Sequence, residues 1–391
     1  MFNKNFIILC IGQTFSYTSP VVNILLSGII GSRLINFAIL STLPTALMVV
    51  GTAIGSLFAS KVMSLKGRKF GFCISALFSS IASLLCAYSI FLNNFIFFCF
   101  ANFLVGLCFA FIQLYRFAAT EVVSKGNIPR AVSIILLLSI VATILGSNIV
   151  SISKNYFYTT YVGSYIFLSM LNIVPFFFFL FYKNTKLYEN RSTSFYNFKK
   201  IFLLLSNKFI LLSISSASIG FIVMSLIMTA TPICMHIFKK FTLIETSLVI
   251  QLHSIGMFLP SLVTGELIKK FGHLIIIYCG ILIMFVCITI NFYFQSYYGF
   301  MFGLILLGVG WNFLFVSGTS LLVISYHKKD RYIAQGLNDF IVFTTQAIGA
   351  LSAGILLYLL GWKILNLICI PILILLLFYT FMISKNFQTL K

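Results

Sequence analysis

The stretch SKVMSLKGRK, residues 60–69, decides the fold, because it is a short basic loop between two apolar runs and has a counterpart later in the chain. The counterpart GELIKKFGHL occupies residues 265–274, an offset of 205 positions (265 − 60). Each stretch has a small residue, a glycine seven positions later, and then a basic residue or histidine. The stretches VGLCFAF (105–111) and LGVGWNF (307–313) repeat at an offset of 202. These two repeats predict a chain built from two similar halves.

The composition indicates a membrane protein. Of the 391 residues, 60% are hydrophobic and only 8% are charged, whereas a soluble domain carries about 25% charged residues. The net charge of +20 does not predict a nucleic-acid partner, because the basic residues lie in short clusters between apolar runs rather than on one basic helix.

The apolar runs predict twelve transmembrane helices, since a span needs about 20 apolar residues. The runs cover residues 6–29, 38–60, 70–92, 95–123, 131–152, 162–182, 208–233, 247–268, 274–294, 299–325, 333–359 and 364–383. A polar stretch separates the sixth run from the seventh. We therefore predict an all-α membrane protein of two pseudo-symmetric six-helix bundles, residues 1–182 and 208–391, joined by a cytoplasmic linker over residues 183–207.

The distribution of lysine and arginine predicts the orientation. With the N-terminus inside, twenty basic residues fall in cytoplasmic segments and five in external ones, and Arg116 alone lies within a helix. Both termini are therefore expected in the cytoplasm, and the protein is expected in the inner (cytoplasmic) membrane.

At the two loops the chain resembles the major facilitator superfamily over essentially its whole length. The first cytoplasmic loop of that family reads G-x-x-x-D-R-x-G-R-R. Here Ser60 stands for the first Gly and Ser64 for the Asp, while residues 67–69 match the end of the motif. In the second copy Lys269 replaces the Asp and His273 the Arg. The lost acids put the family's loop ion pair in doubt, but not the fold.

The stretches YRFAATE (115–121), GWNFLFVSG (310–318) and AQGLNDF (334–340) look like a bacterial branch of the superfamily whose substrates are unassigned. Vitamin transporters, riboflavin importers among them, are its expected relatives. The resemblance implies transport by two rocking halves, with helices one, four, seven and ten around a central cavity. It implies no enzyme activity, and no Walker loop, HExxH or GxSxG pattern indicates one.

Arg116 is the main candidate for solute binding. On a helix Gln113, Arg116 and Thr120 share a face, and an arginine at the centre of a span costs about 2.5–3.5 kcal/mol on insertion scales. The apolar residues of the run offset that cost. Two interpretations stay open: Arg116 and Gln113 contact the solute in the cavity, or Arg116 makes a structural ion pair or reaches the lipid headgroups.

Three charged residues are candidates for gating or coupling. The resemblance implies that Glu121 pairs with Arg68 of the first loop, a structural gate rather than a proton carrier. Asp339, beside Asn338 on the eleventh helix, is expected either to carry a proton, since burial favours the neutral carboxyl, or to pair with a basic loop residue.

Other polar residues within apolar runs are candidates for lining the cavity, because aromatic and amide groups suit a flat, partly polar organic ligand. Each of them is equally suited to hold two helices together. They are Gln13, Tyr17, Gln251, Trp311 and Asn312.

Small residues at four-residue spacing, Gly51, Gly55 and Ala59, also have two interpretations. They either form a smooth surface for rocking between helices two and eleven, or they pack ordinarily against a neighbouring helix.

We therefore predict a monomeric secondary transporter of a small organic solute, with or without a coupled proton, and with no metal or other cofactor. A multidrug or metabolite efflux pump is the alternative within the same class. A non-transporting membrane sensor or scaffold is the alternative from another class, and it would tolerate loss of the cavity residues.

Overall fold

The computed structural model describes residues 3–35, 40, 43–184 and 198–388, and the regular elements in these ranges are all helices. The α-helices are α1 Lys4–Ser16, α2 Thr18–Leu34, α3 Leu43–Phe91, α4 Phe95–Gln113, α5 Tyr115–Glu121, α6 Ile128–Ser153, α7 Val162–Phe179, α8 Phe198–Leu205, α9 Lys208–Pro232, α10 Leu243–Phe258, α11 Ser261–Phe271, α12 His273–Tyr293, α13 Tyr297–Ser325 and α14 Arg331–Gln388. A π-helical turn, Ile233–Phe238, follows α9.

Ten segments of the described residues are long and apolar enough to cross a membrane. Two of them, α3 with 49 residues and α14 with 58, are each two helices joined at a glycine with non-helical dihedral angles, Gly67 and Gly361. Dividing these two gives the twelve helices predicted from the apolar runs. The all-α membrane class is confirmed.

Glycine sets the backbone of the repeated loops. Gly67 has φ 85° and ψ 166°, and Gly272 in the second loop has φ 86° and ψ 163°. This region is essentially restricted to glycine, because a Cβ collides with the backbone there. The one residue that both loop sequences share at this position therefore gives the backbone the same conformation in each loop.

Two helix crossings repeat in the same way. A Cβ at Gly51 or Gly106 would collide with the backbone of the facing helix, so α3 and α4 approach at close range. At offsets of 205 and 202 positions, Gly256 and Gly308 bring α10 equally close to α13. The small residue on each side permits the close approach, as in other membrane helix pairs.

The stripe of small residues on the first part of α3 has the packing role rather than the rocking role. Gly51 and Gly55 face the backbone of α4, which supports the second of the two interpretations, packing against a neighbouring helix. The contact between α3 and α14 is made instead by Ser56 and Ser60, which lie against Gly336. Each serine follows a residue of the small-residue stripe by one position. It therefore points to a different neighbouring helix, because one residue corresponds to a rotation of about 100° around the helix axis.

Polar side chains start several helices by accepting hydrogen bonds from free backbone N–H groups, namely Asn3, Asn94, Asn207 and Ser296. At α10, Thr242 and Glu245 form a capping box. The hydroxyl of Thr242 donates to the Glu245 carboxylate at 2.7 Å, which lowers the pKa of Glu245.

The chain forms two compact units. The first contains residues 1–127, 138–201 and 327–344, and the second contains residues 128–137, 202–326 and 345–391. The predicted linker over residues 183–207 lies mostly outside the described residues. Its described end forms α8, from which Lys200 reaches Asp330 in the first unit at 2.6 Å. The division into bundles at residues 182 and 208 stays a prediction.

Candidate functional site

The interior of the first unit holds a buried ion pair between Arg116 and Asp339. The helix of run four breaks at Leu114, between α4 and α5, and Arg116 lies in the first turn after the break. Its Nη2 donates to Asp339 Oδ1, and its Nη1 donates to Gln113 Oε1 at 2.6 Å. The side chains of Arg116 and Asp339 are 1% and 0% exposed, so neither charge is hydrated in this arrangement.

Asp339 belongs to a polar cluster with unused acceptor atoms. Asn338 donates its amide N–H to Asp339 Oδ1 at 2.8 Å. Among the described residues, neither Asp339 Oδ2 nor Asn338 Oδ1 receives a hydrogen bond. Buried acceptors without donors cost free energy, so this cluster offers a place for a proton or for a donor group of a solute.

Tyr17 and Gln13 of the first run lie in the same unit. Tyr17 follows the end of α1, where its half-buried ring meets Phe109 edge-on with centroids 5.4 Å apart. The phenol also interacts electrostatically with Arg116. Gln13 points elsewhere, because its amide donates to Ser139 Oγ on α6 at 2.9 Å. The structure therefore places Tyr17 near Arg116 and uses Gln13 to connect two helices.

Arg68 of the first loop contacts Glu121, as the resemblance implies. Its Nη2 lies 2.6 Å from Glu121 Oε1, and the same nitrogen donates to Gln335 Oε1 of α14 at 2.5 Å. Arg331 also approaches Glu121, at 3.6 Å. One acid therefore serves two arginines, and the network connects the first loop with α5 and α14. The gating role of this network stays a prediction.

Two tyrosines complete the surroundings of Arg68. Its guanidinium lies over the ring of Tyr332, 4.9 Å from the centroid, a cation–π arrangement. Tyr182 follows α7, and burial, with a smaller contribution from the Glu121 charge, raises the pKa of its phenol. Tyr182 therefore stays neutral at physiological pH and adds no second negative charge beside Glu121.

The second unit holds an aromatic cluster around Trp311. The ring of Trp311 stacks on Phe315 with centroids 4.9 Å apart, and Phe221 and Phe258 meet it edge-on. Trp311 is 2% exposed, and among the described residues its Nε1–H finds no acceptor. A buried indole donor without a partner is uncommon, and it is an available donor for a ligand.

Asn312, next to Trp311, has a different role. Its amide donates to Ser261 Oγ at 2.7 Å and to the Met257 carbonyl at 2.7 Å, and its Oδ1 accepts from Thr264. Both polar atoms are engaged within the second unit, so binding a solute would require breaking one of these bonds. Gln251 on α10 is exposed. The structure brings neither amide into the Trp311 cluster.

The sequence did not reveal the partner of Arg116, because that acid lies on another helix, 223 residues away. The small number of carboxylates in the chain is the feature that indicates this partner. The chain has six Asp and Glu residues, and apart from those at loops and boundaries only Asp339 lies inside an apolar run. No comparable feature of the sequence indicates that Gln335 accepts a hydrogen bond from Arg68. Within the described ranges no group of three or more His, Cys, Asp or Glu residues is placed to hold a metal ion.

Comparison with known sequences places this architecture among transporters. The sequence model described as Major Facilitator Superfamily matches residues 5–289 and 217–388. The chain is 32% identical to the riboflavin transporter RfnT of Brucella anthropi over 94% of this chain and 93% of that protein. It is 25% identical to the MFS-type transporter YddS of Bacillus subtilis, over 96% of this chain and 91% of the relative.

Solved structures share the fold at low sequence identity. The human organic anion transporter MFSD10 superposes with a TM-score of 0.76 at 13% identity, covering 96% of this chain and 99% of that one. The E. coli fucose:proton symporter FucP superposes with a TM-score of 0.75 at 12% identity, covering 96% and 98%. At these identities the likeness describes the fold alone.

Proposed function

Because the chain belongs to the major facilitator superfamily, we propose that it is a secondary transporter of a flat, partly polar organic solute, with riboflavin as the first solute to test. The observation that carries the proposal is the 32% identity to a riboflavin transporter along almost the full length of both chains. The solute crosses the membrane unchanged, by alternating access of two helix bundles.

The chemistry of both units supports a flat ring system as solute. In the second unit the buried stacked pair Trp311 and Phe315 lies beside an indole N–H that finds no acceptor among the described residues. In the first unit Tyr17 and Phe109 form a second aromatic pair near Arg116. A fused ring with carbonyl and imide groups and a hydroxylated chain, as in riboflavin, matches aromatic faces combined with a few hydrogen-bonding groups.

Arg116 is the proposed solute contact, and Asp339 is its partner while the site is empty. A solute carbonyl that accepts from the guanidinium competes with Asp339, and the carboxyl then takes up a proton. In this scheme solute binding and protonation of Asp339 both favour breaking the ion pair between Arg116 and Asp339, so the two events are coupled. One proton crossing 100 mV contributes about 2.3 kcal/mol, enough for roughly fifty-fold accumulation.

The site of action in this proposal is the inner membrane, with both termini in the cytoplasm. The excess of basic residues in the predicted cytoplasmic segments, twenty against five, supports this orientation. Thiol labelling in a cysteine-free background tests it: Tyr158→Cys, in an exposed loop, is expected to react with an impermeant reagent added outside, and Gly126→Cys only after permeabilisation. The reverse pattern would contradict the orientation.

Transport in proteoliposomes tests the function. We expect saturable uptake of radiolabelled riboflavin that an inward proton gradient accelerates and unlabelled riboflavin competes away. Arg116→Lys keeps the charge but loses the planar fork, so riboflavin binding is expected to weaken by about 1.5–3 kcal/mol. Arg130→Lys, at an exposed ion pair, is the matched control and should transport normally.

Two outcomes would contradict the proposal. If the folded wild-type protein neither binds nor transports riboflavin, riboflavin is not its solute. A thermal-shift panel of organic anions, sugars and drugs would then identify another class of solute. If the Arg116→Lys protein is stable and its riboflavin affinity is unchanged, Arg116 does not contact the solute.

A further inference from the structure

A groove of about 490 Å³ lies on the surface of the first unit, between the two parts of α3 and the side of α4. It is separate from the cluster around Arg116. We propose that this groove binds one acyl chain of an anionic diacyl phospholipid from the surrounding bilayer, with the phosphate held by Lys66 at one end.

The long wall of the groove is a single stripe on the second part of α3. Phe70, Ile74, Phe78, Ile81 and Leu85 line it at spacings of four, four, three and four residues, so they share one helix face. From Phe70 to Leu85 the helix rises by about 22 Å. One leaflet contributes half of a hydrocarbon core of about 30 Å, so the stripe is long enough for one acyl chain.

The opposite wall comes from α4. Leu104, Leu107, Cys108 and Phe111 line the groove at positions i, i+3, i+4 and i+7, again one helix face. The hydroxyl of Ser75, the neutral polar group of the lining, donates to the carbonyl of Phe72 at 3.1 Å. With that hydroxyl already satisfied, the interior of the groove suits a hydrocarbon occupant and not a polar one.

The volume of the groove favours a lipid chain over a protein helix. A volume of 490 Å³ lies within the range of about 300–1,000 Å³ that is typical of small-molecule sites. A helix is about 10–12 Å wide with its side chains, and over the length of this groove it would fill several times that volume. Phe78 and Ile81, which border the groove, are 55% and 50% exposed, so a chain from the bilayer can enter from the side.

Charge selects the headgroup. Lys66 is exposed and lies at the end of the groove with its Nζ 4.5 Å from the centroid of Phe70. Lys61 and Lys69 flank it on the same loop, residues 60–69, which contains no acid, since Ser64 stands where the family has Asp. Basic residues without a neighbouring acid on their loop, at the end of an apolar groove, fit a phosphate joined to an acyl chain. They favour an anionic headgroup over a zwitterionic one.

Native mass spectrometry of the purified full chain, titrated with phosphatidylglycerol or phosphatidylcholine of identical acyl chains, tests the proposal. We expect one tight lipid, with about tenfold preference for phosphatidylglycerol. Leu107→Trp fills the groove and is expected to abolish the tight site for both lipids. Lys66→Gln is expected to reduce binding of phosphatidylglycerol to the level of phosphatidylcholine.

Two variants serve as matched controls. Leu84→Trp adds the same side chain at an exposed position of α3 that does not line the groove. Lys270→Gln removes a lysine that lies over Phe271 much as Lys66 lies over Phe70. Both should bind phosphatidylglycerol as the wild type does. Unchanged tight binding by Leu107→Trp, or an unchanged lipid preference in Lys66→Gln, would overturn the proposal.

A second measurement needs no variant. Phosphatidylglycerol with a photoreactive diazirine in its acyl chain, added to the wild-type protein, is expected to label peptides that contain residues 70–85 and 104–111. Labelling confined to other peptides would overturn the proposal even if Leu107→Trp fails to fold. The lining of the groove contains neither Arg116 nor Asp339, so lipid binding and solute transport are tested separately.

Discussion

The helix pair α3–α4 in the first unit and the pair α10–α13 in the second have the same close crossing but different side chains beside it. Gly106 faces the carbonyl of Met48, and Gly308 faces that of His253, its counterpart 205 positions later (253 − 48). Met48 is a core hydrophobe, whereas the His253 ring lies 2.8 Å from the Leu304 carbonyl through Nδ1. Small residues must therefore recur wherever backbones touch, while the side chains between them are free to differ.

The two loops differ in the same way. Gly67 and Gly272 share one backbone conformation, but the following residue is Arg68 in one loop and His273 in the other. Arg68 is buried with Glu121. In the second unit the ion pair near the loop is Arg130 with Glu266, and its side chains are 39% and 47% exposed. Buried pairs constrain a structure far more than hydrated ones, so the first unit is expected to be the more sensitive to loss of charge.

The largest expected effect is the loss of Asp339. Asp339→Ala leaves the Arg116 guanidinium buried without an anion, which should lower the free energy of unfolding by about 3–5 kcal/mol. Denaturant unfolding of the purified protein in detergent measures it. The double variant Arg116→Leu with Asp339→Leu, which removes both charges, should recover most of the loss. A loss below about 1 kcal/mol for Asp339→Ala would show that the pair behaves as a hydrated one.

Loss of Glu121 should have the next largest effect. Glu121→Gln removes the anion shared by Arg68 and Arg331, but Arg68 keeps Gln335 and the sulfur of Met63. We expect a loss of about 1.5–3 kcal/mol, as for a hydrogen bond to a charged group. The exchange Glu121→Arg with Arg68→Glu should restore part of what Glu121→Arg alone loses. Strictly additive effects in this cycle would mean that the two side chains are not energetically coupled.

Substitution of the two loop glycines distinguishes the cost of an unfavourable backbone conformation from the cost of a collision with a neighbouring side chain. Gly272→Ala should cost about 1–3 kcal/mol, since its positive φ is unfavourable for any other residue while its surroundings are open. Gly67→Ala should cost more, because its Cβ would meet the Asn184 side chain, which accepts a 2.9 Å bond from the Lys69 N–H. Thermal unfolding of both variants measures the difference. Equal costs would show that Asn184 contributes nothing to the first loop.

The smallest effect is expected at the exposed pair. Glu266→Ala should change the free energy of unfolding by no more than about 1 kcal/mol, and the change should shrink as salt increases. Unfolding curves at low and high ionic strength measure it. A salt-independent loss as large as that of Asp339→Ala would remove the contrast between the two units.

The sequence by itself determined the class, the twelve helices and the two repeated loops. Hydrophobicity and helix length follow from local composition, because the bilayer requires about 20 apolar residues for each span and the glycine conformation depends on one residue. The repeats at offsets of 205 and 202 already contain Gly67, Gly106, Gly272 and Gly308. These features are local, and a local pattern is enough to predict them.

Only the tertiary structure decided which side chains meet. Arg116 and Asp339 are 223 residues apart, and the pattern of neither helix predicts the other's rotation or depth. The same holds for the contact of Gln335 with Arg68, and for the packing of Gly51 against α4 rather than helix eleven. Helix rotation is set by the sum of many weak packing contacts along each interface. A charge buried by that packing must then bind whatever partner the facing helix presents.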